Sequence, residues 1–122
     1  MRNFRTLNIW QRGIQLVIDV YKLSEQLPNE EKYGLRSQIC RAAVSIPSNI
    51  AEGSSRKSET EYSRFLEMAL GSAFELETQL IIIRHLHIVH SDRIERLQTF
   101  LDIEQKMINS LISKLKQKAN SK

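Results

Sequence analysis

The chain has 122 residues, 41% of them hydrophobic and 26% charged, with a formal net charge of +4. That length and balance supply one core without metals or disulfides and exclude a disordered polypeptide. Four glycines and two prolines exclude an all-β chain with many tight turns, and the single cysteine, Cys40, excludes an intramolecular disulfide. A reduced, cytoplasmic setting is expected. Cys40, beside Ile39 on an apolar face, is read as a small buried hydrophobe. The basic start, Met1 to Arg5, is followed by no apolar h-region, and the longest apolar run, Leu80 to Ile83, is too short to span a bilayer, so no membrane role is expected.

The first helix is expected over about 9–27. Trp10, Ile14, Val17, Ile18 and Tyr21 form one apolar stripe; Ile9, Leu16, Val20, Leu23 and Leu27 form a second, rotated by about 130°. One stripe serves a bundle core; the other is expected to meet a second subunit, and Ile9, Leu16, Val20 and Leu23 are assigned to that interface. Pro28 ends the helix, because the residue before a proline avoids the α region.

The second helix is expected over about 30–52, with Asn29 as N-cap and acids in its first turn. Leu35, Ile39, Ala42, Ile46 and Ile50 lie within about 80° of one another on its wheel. Pro47 falls inside this stripe and is expected to kink the helix without ending it. Gly53 is read as the C′ residue that stops it.

Ser58-Glu59-Thr60-Glu61 has the form of a capping box and opens a third helix, 58–86, with a regular apolar spacing from Phe65 to Ile83. Small residues in its middle, Ala69 and Gly71 to Ala73, allow close approach of a neighbour. His87 to Ser91 is the next break. The fourth helix, 91–118, carries Ile94, Leu97, Leu101, Ile108, Leu111 and Leu115. Four such helices with short connections fold as an antiparallel up-down-up-down bundle.

That topology gathers Arg2, Arg5, Arg12, Arg56, Lys57, Lys114, Lys116, Lys118 and Lys122 at one pole. Against Glu52, Glu59 and Glu61 they leave a net +6, while the rest of the chain carries −2. On the second helix, Gln38, Arg41, Ser45, Asn49 and Glu52 share a face about 120° from the apolar stripe. They are read either as a solvated face or as a polar network, within the bundle or across a subunit contact, that also shapes a ligand or RNA surface. Asn49 is also placed to bond a backbone group freed by Pro47. Arg41 and Glu52, about 16 Å apart along an ideal helix, pair only with other helices or other chains.

The run Arg41-Ala42-Ala43-Val44-Ser45-Ile46-Pro47-Ser48-Asn49-Ile50-Ala51-Glu52-Gly53 resembles the signature of the 23S rRNA intervening sequence protein family, also called the four-helix-bundle protein family. Trp10-Gln11, Leu27-Pro28, Tyr33-Gly34-Leu35, Glu61-Tyr62, Phe65-Leu66, Gly71-Ser72 and Glu75-Leu76-Glu77-Thr78 extend the likeness in order over nearly the whole chain. The resemblance implies a left-handed antiparallel bundle assembling as a homopentamer. Family members are encoded within intervening sequences of bacterial 23S rRNA genes. They are similar in fold to the accessory protein of diversity-generating retroelements, a pentamer that binds nucleic acid and a reverse transcriptase.

Two functional readings compete. One is a non-catalytic, oligomeric protein that binds structured RNA through the basic pole, with Arg5, Arg12, Arg56, Lys57, Lys114, Lys116 and Lys118 as phosphate contacts. The other is an interaction scaffold whose partner is a protein. Catalysis is not expected: no Gly-rich phosphate loop, Ser–His–Asp arrangement or cysteine-pair spacing occurs. His85, His87 and His90 carry no carboxylate at helical spacing beside them, so neither a metal site nor a cofactor is expected.

Overall fold

The computed structural model describes residues 2–31 and 33–121. These form four α-helices, α1 (Asn8–Ser24), α2 (Leu35–Ser54), α3 (Glu59–Leu86) and α4 (Ser91–Asn120), with short 3-10 turns at Phe4–Thr6 and Asn29–Glu31. Each helix packs on the next, and α4 closes on α1. Contacts between neighbours run in opposite order along the chain. Gly13 meets Pro47, while Arg36 reaches the Leu27 carbonyl. Ser45 bonds Ser72, and Gly53 abuts Tyr62 and Phe65. Arg84 reaches Glu95, and Lys116 reaches Glu67. Arg12 reaches Phe100 and Glu104. The bundle is therefore antiparallel throughout.

Several helix ends depart from the sequence reading for local reasons. The first helix stops at Ser24, not 27; the Gln26 and Leu27 amides turn back to the carbonyls of Leu23 and Ser24, which folds Leu27 into the core. The second starts at Leu35 because Gly34, at φ −100° and ψ −111°, separates it from the 3-10 turn at 29–31. It also runs past Gly53 to Ser54, so Gly53 is a helical residue and not the stop. A Cβ there would lie 2.6 Å from Phe65 Cβ, so glycine is needed for close approach of α3 and not for a left-handed turn. Pro47 leaves α2 unbroken, and Asn49 Nδ2 donates to the Ser45 carbonyl at 2.8 Å, not to the Ala43 carbonyl that the proline frees. Ser58 caps α3 as expected, its Oγ accepting from the Glu61 amide at 3.1 Å. α4 keeps its helix through Asn120.

The core is one continuous cluster drawn from all four helices. Here the reading of α1 is reversed. Ile9, Leu16, Val20 and Leu23, assigned to a subunit interface, are buried in the bundle core. Ile14, Ile18 and Tyr21 of the other stripe are 37%, 44% and 49% exposed. Gly13 explains the choice. It lies on the buried stripe, where a Cβ would come 3.2 Å from Pro47 Cβ, so this face of α1 settles closest on α2. Cys40 is half-buried, lining the open groove between α1 and α2 with Tyr21 and Val44. Among the described residues no helix is long and apolar enough to cross a membrane.

Candidate nucleic-acid interface

The basic pole is assembled by Arg2. Its guanidinium donates to the carbonyls of Ser54 (3.3 Å) and Arg56 (2.6 Å), pairs with Glu59 at 3.3 Å, and lies 4.5 Å over the Tyr62 ring. Burial raises the Tyr62 phenol above its usual pKa, against the pull of this cation. The segment before α1, the turn after α2 and the start of α3 are thus tied together. Lys118 joins them from the end of α4, 3.8 Å from the same Glu59 carboxylate.

The seven bases read as phosphate contacts divide into three groups. Arg12 is not at the surface of the pole. Its Nε lies 3.3 Å from Glu104, its Nη2 donates to the Phe100 carbonyl at 2.8 Å, and its guanidinium stacks 3.8 Å over the Phe100 ring. It serves the α1–α4 seam and is withdrawn from the interface. Arg56 is half-buried against the Phe65 ring, 4.6 Å away, while Lys116 pairs with Glu67 at 2.8 Å and Lys118 with Glu59. Both lysine pairs have exposed ammonium groups and add little stability. Arg5, Lys57 and Lys114 are exposed and form no ion pair with a described residue; Arg5 rests its guanidinium on the Phe4 ring, which meets Trp10 edge-on. Lys122, the ninth base counted at the pole, lies outside the described residues.

Two parts of the polar stripe of α2 behave differently from one another. Ser45 and Asn49 are engaged inside the protein, through Ser72 and the Ser45 carbonyl. Arg41 and Glu52 stand exposed on the outer side of α2 with no ion pair to a described residue. The polar stripe is therefore not a closed intramolecular network: its middle is a packing contact with α3, and its ends face outward.

A family model described as 23S rRNA-intervening sequence protein matches residues 5–110. The chain belongs to the 23S rRNA-intervening sequence protein family. The chain also shares its fold with a crystal structure of a protein of unknown function from the S23 ribosomal protein family of Bacteroides thetaiotaomicron VPI-5482. The TM-score is 0.79 at 24% identity, over 85% of this chain and 97% of that one. No curated protein matches it.

One residue escaped the sequence reading. Glu104 is fully buried on α4 opposite Arg12, and its Oε2 has no hydrogen-bond partner among the described residues. Burial pushes its pKa up to about 7, against the lowering effect of Arg12. The signal was present: Leu101, Glu104 and Ile108 follow the three–four spacing of the apolar seam, so a glutamate stands at a core position.

Proposed function

We propose that the protein is a non-catalytic, oligomeric four-helix bundle that binds structured RNA through its basic pole in the cytoplasm. The observation that carries this reading is that Arg5, Lys57 and Lys114, from three separate segments at one end of the bundle, keep exposed charges without a carboxylate partner among the described residues. Phosphate contacts of this kind give affinity without reading bases. The association of the family with 23S rRNA supports RNA over DNA as the polyanion. With three phosphates neutralised per protomer, affinity for a structured RNA fragment falls about 40-fold between about 50 and 200 mM salt. A variant with Arg5→Glu, Lys57→Glu and Lys114→Glu loses the binding and its salt dependence. Absence of binding by the natural protein at low salt sinks the reading and leaves the protein-scaffold alternative.

Oligomerisation is the second part of the reading. Ile14, Ile18, Tyr21 and Val44 expose one apolar surface on α1 and α2, and Phe74, Ile81 and Ile82 expose another on α3. A two-fold dimer uses one patch twice, whereas two different patches favour a head-to-tail contact that closes a ring. The homopentamer implied by the family resemblance is such a ring. Light scattering is expected to give a multiple of the 14.2 kDa chain mass, and Ile18→Glu with Tyr21→Glu is expected to return the monomer. A monomeric natural protein at micromolar concentration contradicts this part alone.

A further inference from the structure

A cleft of about 320 Å³ opens between the second half of α1 and the first half of α4, at the end of the bundle away from the basic pole. Asp19, Lys22, Arg93, Arg96, Leu97 and Phe100 line it. Three of these six are cations, and none of the three side chains makes a hydrogen bond or ion pair with a described residue. The carboxylate in their midst does not neutralise them: Asp19 accepts from Gln15 Nε2 at 3.1 Å and has no cation within ion-pair distance among the described residues. Like charges left unpaired in one concavity repel one another, and that cost is relieved when a multivalent anion enters.

The rest of the lining is apolar. Leu97 is a core residue at the cleft floor, and Phe100 has one ring face covered by the Arg12 guanidinium while its side chain also lines the cleft. The volume is at the lower end of the range for small-molecule sites and is far more than a lone phosphate fills. A ligand matched to this lining has an anionic group for the cations, a flat apolar group for Leu97 and Phe100, and a hydroxyl or amine for the Asp19 carboxylate. Two acids, Asp92 and Glu95, stand in the shallow groove on the far side of Arg96 and Phe100, so the anionic end is directed toward Lys22 and Arg93.

We propose that this α1–α4 cleft binds a nucleotide unit, free or within a strand, with Lys22, Arg93 and Arg96 on the phosphate and the base against Leu97 and Phe100. Aromatic contact with a base and cationic contact with its phosphate are the two halves of sequence-tolerant recognition of unpaired nucleotides. The sequence reading missed the site because its bases come from helices whose ends meet only in the fold. It stands apart from the RNA reading of the pole, which uses none of these residues.

Titration calorimetry on the full chain tests it with four probes: AMP, adenosine, inorganic phosphate and a single-stranded hexa-adenylate. AMP is expected to bind, with adenosine and inorganic phosphate each at least tenfold weaker, because each supplies one half of the ligand. Lys22→Glu with Arg96→Glu, both solvent-facing, is expected to weaken AMP at least tenfold with an unchanged circular dichroism spectrum. Lys57→Glu with Lys114→Glu, at the other pole, is expected to leave AMP binding intact, which separates this site from the basic pole. Hexa-adenylate binding more tightly than AMP, and lost in the cleft variant, identifies a strand as the occupant; equal affinities identify a free nucleotide. Absence of binding by both AMP and hexa-adenylate, or affinities unchanged in the Lys22→Glu, Arg96→Glu variant, overturns the proposal.

Discussion

Replacing Arg12 with methionine is expected to cost about 3–5 kcal/mol of stability at pH 8, and much less at pH 5. Glu104 is fully buried, and the Arg12 guanidinium 3.3 Å away is the only cation that pairs with it among the described residues. Methionine keeps much of the stem volume against Phe100 but strands the carboxylate. At pH 5 the stranded group takes up a proton, so only the bond to the Phe100 carbonyl and the ring stacking are lost. The natural protein is expected to show the same sign. Burial raises the folded pKa of Glu104 to about 7, above its ordinary value of 4.5. Between these values the unfolded chain has released the proton and the folded chain still holds it, so stability declines as pH rises through this window. The decline is on the order of 3 kcal/mol and levels off above pH 7. Glu104→Gln removes the titration and flattens the profile. Urea midpoints at the two pH values check both statements; an equal loss for Arg12→Met at pH 5 and pH 8 would show that the carboxylate is not the group left unpaired.

Gly53→Val is expected to destabilise by about 3 kcal/mol, or roughly 10 °C in Tm. Its Cβ would sit 2.6 Å from Phe65 Cβ and 3.2 Å from Tyr62 Cδ1. The first of these is anchored to the α3 backbone, so the helices must separate where Arg2 and Arg56 also pack. Gly71→Ala supplies the opposite case. A Cβ there meets nothing within 4 Å, and alanine in a helix interior gains about 1 kcal/mol over glycine. A thermal melt of the two variants should move in opposite directions; a stabilised Gly53→Val protein would contradict the close α2–α3 contact.

The four helices were legible because each carries an apolar spacing that only a helix can bury, and the third begins where Ser58 caps it; the fourth begins after His90, which makes no side-chain cap, with Ser91 already inside the helix. The choice between the two stripes of α1 was not legible from spacing, since Ile9 to Leu23 and Trp10 to Tyr21 are equally apolar. Steric fit of Gly13 against Pro47 decided it, a contact between residues 34 positions apart in the chain. The ends of α2 were misread for a related reason. Gly34 breaks the chain without a positive φ, and Gly53 is placed by the bulk of α3 rather than by its own turn. Among the bases, position along the bundle was legible from topology, but pairing was not. Arg12 turned to Glu104, and Arg56 to Phe65, through contacts that no helical wheel contains. The cations of the α1–α4 cleft were hidden because Lys22 and Arg93 are distant in sequence and unremarkable singly.

The seam between α1 and α4 also has a consequence for the order of folding. The pairs α1–α2, α2–α3 and α3–α4 are helical hairpins that form from adjacent stretches of chain. The α1–α4 contacts join residues 88 and 92 positions apart, through Arg12 to Phe100 and Glu104. Closing that loop carries the largest chain-entropy cost among the helix pairs, so these contacts are expected to form after the hairpins. The buried Arg12–Glu104 pair thus sits on the surface that joins the most distant parts of the chain, where it penalises a misaligned α4: a slip of one residue along α1 would leave Glu104 without its cation.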